Sequence, residues 1–134
     1  MTNLNPKCIL VPGSNRYKSK VVRSIRFEEP DLIVEIQGPG FSFARLKFHN
    51  VVGFRVLDER ELAEFWNTYS EPNGWLWEVT DGGWMTLERN RVGFNSMEMH
   101  LREFLIVDNY CVNVLCKNPP ELKDLGTDPS ATNN

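Results

Sequence analysis

The feature that most narrows what this chain can fold into is the spacing of its breakers. Pro12-Gly13-Ser14-Asn15, Glu28-Glu29-Pro30-Asp31, Gly38-Pro39-Gly40, Pro72-Asn73-Gly74, Asp81-Gly82-Gly83 and Asp108-Asn109 cut it into short segments. Between the early breakers lie runs with a period of two. Lys7 to Val11 is a short first strand, and Val21, Ile25 and Phe27 fall on one face of the next. Leu32, Val34 and Ile36 alternate with Ile33, Glu35 and Gln37; Ala44, Leu46 and Phe48 alternate with Arg45 and Lys47. Val52, Phe54 and Val56 resume the pattern after His49-Asn50, with Gly53 inside the run as a bulge or close-approach signal. A parallel crossover needs about a dozen residues or more, which these connections lack, so the strands pair antiparallel.

The period then changes. Leu62, Phe65, Trp66 and Tyr69 recur at i, i+3, i+4 and i+7, one stripe of a helix. Asp58 is placed as its N-cap with Glu61 three positions on, a capping-box spacing, and Leu57 and Leu62 are spaced as a hydrophobic staple. Glu59 and Glu61 complement the helix dipole in the first turn. The helix stops before Pro72.

Beyond it, Asp81-Gly82 reads as a hairpin turn joining strands Trp75–Val79 and Trp84–Arg89. That register puts Trp75, Trp77 and Trp84 on one side. They form either core beneath the helix or an aromatic platform for a ligand or partner. Asn90 to His100 has no period and is expected to be an ordered loop over the sheet or a short helical turn, anchored by Phe94, Met97 and Met99. A second hairpin runs from Glu103 to Val107 and from Tyr110 to Cys116. With a two-residue loop, Leu105, Val107, Tyr110, Val112 and Val114 share one face and Phe104, Ile106, Cys111 and Leu115 the other. Both faces are apolar, as in a central strand pair. Residues 1–116 are therefore expected to form a single globular domain, with 117–134 an extended or poorly ordered tail.

The whole predicts an α+β fold: a curved, mainly antiparallel sheet or partly closed barrel of about seven to nine strands, with one main helix near 58–69. No apolar run approaches the roughly 18 residues of a membrane span. Residues 1–20 hold no apolar leader core, and Cys8, Cys111 and Cys116 show no disulfide framework, which points to a cytoplasmic setting.

Chemistry is harder to place. His49 and His100 join no metal-spaced pattern, the serines lack a nucleophile elbow, and no phosphate loop is present, so neither cofactor nor metal is expected. A small-molecule binder or enzyme is the alternative, using a pocket in the curved sheet lined by Trp75, Trp77 and Trp84 with Arg55, Glu78 and His100 converging on it. Charge is uneven. Six bases and no acid fall in residues 1–27, leaving nine bases against eighteen acids in the remainder. The basic segment Arg16, Tyr17, Lys18, Lys20 and Arg23 could meet nucleic acid. The acidic body suits a basic protein partner through electrostatic steering.

Gly53-Phe54-Arg55-Val56-Leu57-Asp58-Glu59 with Phe65-Trp66 is followed by Trp77-Glu78-Val79 with Gly82-Gly83-Trp84. Phe104-Leu105-Ile106-Val107 with Cys111-Val112-Asn113-Val114-Leu115 completes the series. In that order these pieces resemble small, uncharacterised bacterial proteins, some of them similar to immunity proteins of toxin systems, over roughly residues 44–120. The resemblance implies no activity and no functional residues. The leading expectation is a non-enzymatic interaction protein of the immunity-like kind.

Overall fold

The computed structural model describes residues 5–17, 21–69, 73–95 and 100–127. Nine strands form two antiparallel sheets. They are β1 (Lys7–Leu10), β2 (Val21–Glu28), β3 (Asp31–Gln37), β4 (Phe43–Phe48), β5 (Gly53–Asp58), β6 (Leu76–Asp81), β7 (Arg102–Ile106), β8 (Tyr110–Cys116) and β9 (Glu121–Gly126). One sheet has the order β1-β6-β7-β8-β5 and the other β2-β3-β4-β9. The antiparallel α+β reading holds. In place of one curved sheet or a partly closed barrel, the described strands divide into two sheets that form no closed barrel.

The alternation of β3 and β4 explains how the sheets meet. Leu32, Val34, Ile36, Ala44, Leu46 and Phe48 are buried on one face of the four-stranded sheet. They share a core with Leu76, Phe104, Ile106, Val112, Val114 and Cys116 of the five-stranded sheet. Phe48 and Phe104 meet across it at 6.1 Å. The outer face of the four-stranded sheet carries the polar half of the alternation, including an Arg26–Glu35–Arg45 ladder.

The other face of the five-stranded sheet builds a second core from Trp77, Val79, Leu105, Val107 and Cys111. Leu62 and Phe65 cover it, with Trp66 and Tyr69 packed alongside, so the sequence stripe does what its spacing implies. The covering segment is not a regular α-helix. Glu59–Phe65 is a 3-10 segment interrupted at Leu62, which lies at φ −127° and ψ 36°. A following turn closes as the Tyr69 N–H donates to the Phe65 carbonyl at 2.8 Å. The Asp58 cap is real: its side chain accepts from the Arg60 N–H at 2.9 Å.

Three expectations are corrected. The strand expected over Trp84–Arg89 is instead the α-helix α1 (Trp84–Glu88), so Asp81-Gly82-Gly83 starts a helix, not a hairpin. The hairpin β7–β8 pairs Ile106 with Val112 and Phe104 with Val114, one residue off the two-residue-loop register. Phe104, Ile106, Val112 and Val114 therefore share the inter-sheet face. The segment after Lys117, expected as a tail, supplies the edge strand β9, paired to β4 with Leu122 opposite Leu46. Of the expected loop anchors, Phe94 is half-buried, while Met97 and Met99 lie outside the described residues.

Candidate interaction surface

The tryptophans do not form a platform. Trp75 and Trp77 are buried in different cores, on opposite sides of the five-stranded sheet: Trp75 lies just before β6 and so escapes the alternation that would give residues two apart one face. The Trp75 indole N–H donates to the Ser14 and Tyr17 carbonyls, pinning the loop after β1. Trp77 meets Tyr69 edge-on at 5.0 Å.

Trp84 alone joins a polar constellation. Arg55 on β5 stacks on its ring at 5.1 Å and donates to Asn113 Oδ1 at 3.1 Å. Asn113 donates in turn to Glu103 Oε2 at 3.2 Å. Glu103 is 1% exposed. Its carboxylate accepts the Trp84 and Met85 backbone N–H groups at 3.1 and 2.8 Å, which caps α1. Burial pushes the Glu103 carboxyl up despite these hydrogen bonds and the nearby Arg55 charge. Desolvation likewise lowers the Arg55 guanidinium, opposed by Glu103, Glu64 and Glu88. Every Glu103 oxygen has a donor, so the network reads as a buried anchor for α1.

The other expected pocket residues lie elsewhere. Glu78 faces the inter-sheet side and holds Arg102 through two hydrogen bonds of 2.7 and 2.8 Å. His100 is exposed before β7, at φ +53°. Burial pushes the Cys8 thiol up to about 12 and Cys111 and Cys116 to about 11, which keeps them protonated and poorly nucleophilic at neutral pH. Among the described residues, no group of three or more His, Cys, Asp and Glu could hold a metal ion, and no helix is long and apolar enough to cross a membrane.

The surface that stands out is the side where β2 lies over β5. Among the described residues both are edge strands, each hydrogen-bonded to one neighbour. Phe27 meets Phe54 at 5.9 Å, and the Val22 N–H donates to Asp108 Oδ2 at 2.7 Å. Alongside these two contacts runs a cleft of about 430 Å³ with Val22, Ile25, Val56 and Tyr110 in its walls. Apolar groups are left in the open here: Val21 is 45% exposed, Phe27 51% and Tyr110 58%. The neighbouring charges are already engaged, Arg23 by Gln37, Arg26 by Glu28 and Glu35, and Arg60 by Asp58. Sequence reading missed this surface because a strand's alternation says which face is apolar, not whether the strand ends up at a sheet's edge. Comparison with protein-family models, with curated proteins and with solved structures finds no match, which leaves this chain's own geometry as the ground for a functional reading.

Proposed function

We propose that the protein is an interaction module that takes an extended segment of a partner protein along the β2–β5 edge. The observation that carries this reading is the apolar cleft between two strands that, among the described residues, each lack a second neighbour. An exposed strand edge offers unpaired backbone donors and acceptors to another chain. Strand addition uses those groups for affinity and pockets beneath alternate side chains for specificity. Val22, Ile25 and Val56 supply such a floor, and Tyr110 supplies an aromatic rim of the type that dominates binding energy, with Phe27 exposed further along β2. Arg23 falls at a register shift in β2, a device that discourages indiscriminate edge pairing. The acidic excess beyond residue 27 favours a partner with basic flanks. An immunity-like role, in which the module covers a basic surface of a toxin, is the form of this reading that the charge favours.

The other readings have less to stand on. A tryptophan-lined pocket would need Trp75 and Trp77 to share an open face, and both are buried. For nucleic acid, Arg16 is exposed but Arg23 is bound to Gln37, and Lys18 and Lys20 lie outside the described residues. The test is selection from a displayed library of peptides of about ten residues. Strand addition predicts winners with alternating apolar residues and Lys or Arg at the flanks. Their binding is abolished by Val56→Asp and unaffected by Lys47→Asp on the opposite, polar face. Winners that tolerate Val56→Asp, or no enrichment at all, would overturn the proposal.

A further inference from the structure

A second cavity, of about 330 Å³, opens at the end of the four-stranded sheet and shares no lining residue with the β2–β5 cleft. Its size lies at the low end of the roughly 300–1,000 Å³ of small-molecule sites. Ile36 and Ala44, both buried, form its floor, so a ligand there would extend the inter-sheet core. Two firmly held loops frame it. On one side Ser14 Oγ donates to the Val11 carbonyl at 2.7 Å, and the Trp75 indole holds the Ser14 and Tyr17 carbonyls. On the other, the Gly38 N–H donates to the Ser42 carbonyl and Ser42 Oγ to the Pro39 carbonyl, both at 2.8 Å. Walls held in this way lower the ordering cost of binding.

The cavity's charges are of both signs and are not spent on each other. Arg16 and Asp124 both line it, yet among the described residues neither takes part in an ion pair. Asp124 uses Oδ1 to accept the Gly126 N–H at 2.8 Å and keeps its second oxygen. A cation and an anion lining one cavity with an apolar floor match a molecule with both charges and a hydrocarbon arm. We propose that this cavity binds a small apolar zwitterion of the α-amino-acid kind. The carboxylate meets Arg16, the ammonium meets Asp124, and the side arm lies on Ile36, Ala44 and Pro39.

The proposal is independent of the edge-binding role and is tested on the full chain by amide and indole NMR. Phenylalanine, 3-phenylpropionate and 2-phenylethylamine are titrated separately to about 10 mM, a range suited to weak sites. Phenylalanine shifts the Trp75 indole N–H and the Tyr17, Ser42 and Ala44 amides. Each analogue, lacking one charge-assisted contact, binds roughly tenfold or more weakly. Arg16→Gln removes the preference for phenylalanine over phenylethylamine, and Asp124→Asn removes the preference over phenylpropionate. Both side chains belong to exposed residues, so both variants fold. Unmoved resonances, equal binding of the three probes, or a preference that survives its variant would each overturn the assignment.

Discussion

Two short helical segments cover the same face of the five-stranded sheet, and each begins on a carboxylate. At Glu59–Phe65 the carboxylate is Asp58, one residue upstream, with Arg60 closing on it at 3.0 Å. At α1 it is Glu103, on a strand that follows the helix in the chain, accepting from Trp84 and Met85. The first cap is local and near water, the second remote and buried. Local caps are written in the order of residues, so spacing finds them. A cap supplied by the fold is invisible to spacing, and its absence from view made Trp84–Arg89 look like a strand. The environments also pull the two carboxyls in opposite directions. Burial pushes Glu103 up, whereas the hydrogen bonds from the Arg60 side chain and backbone hold Asp58 below the usual range.

The largest way to break this contrast is Glu103→Ala. It leaves the Trp84, Met85 and Asn113 donors without their acceptor inside a packed layer. Unsatisfied buried donors cost about 1–3 kcal/mol each before relaxation, and water entry recovers part of that. A net loss of about 3 kcal/mol in urea unfolding is expected, with changed near-UV signals from Trp84. A loss no larger than that of an ordinary surface substitution would show that α1 does not depend on this anchor.

Gly83→Ala probes the same anchor sterically. A Cβ at Gly83 would lie 2.6 Å from Val79 Cγ1 and 2.9 Å from both Glu103 oxygens. The backbone there is ordinary, at φ −105°, so the cost comes from crowding alone, about 1–3 kcal/mol. In the double variant Gly83→Ala/Glu103→Gln the penalties should fail to add, because the two residues share one contact. Strict additivity would separate the glycine from the carboxylate.

These two residues also mark the limit of what was legible. The meander, the inter-sheet face of β3 and β4 and the Leu62/Phe65 stripe follow from alternation, since an apolar period fixes a buried face. Asp81-Gly82-Gly83 carried a hairpin signal because Gly82, at φ +71°, supplies the left-handed residue that such turns need. The deciding fact was an acceptor about twenty positions away. The β7–β8 register differs by one residue from the two-residue-loop reading, and in that turn the Asp108 side chain accepts the Val22 N–H of the opposite sheet. β9 was missed because Glu121, Lys123 and Asp124 outnumber Leu122, the β9 side chain that packs against the inter-sheet core. That is how a polar edge strand looks when read alone.

The contrast sharpens with pH. Wild type and Glu103→Gln differ only by one titrating group. A carboxyl raised in the folded state stabilises fully below its unfolded value, about 4.3, and that contribution fades as pH rises through the folded value. Wild type should therefore gain on Glu103→Gln as the solution is acidified. A flat difference, or one of opposite slope, would mean that Glu103 is better solvated than its burial beside Arg55 and Cys8 implies.

Asp58 should show the reverse sign and the smallest effect. Its carboxyl is held low, so its contribution is present above the unfolded value of about 3.9 and disappears as pH falls through the folded one. Asp58→Ala should cost less than either Glu103 variant, because water can replace the cap and the Arg60 side chain is 83% exposed. Asp58→Asn keeps an acceptor for the Arg60 N–H and should recover most of the loss. Salt divides what remains: a deficit in Asp58→Asn that vanishes at high ionic strength belongs to the charge pair, and one that persists belongs to the cap. If both Asp58 variants match Glu103→Ala in cost, the division between an exposed local cap and a buried remote one fails.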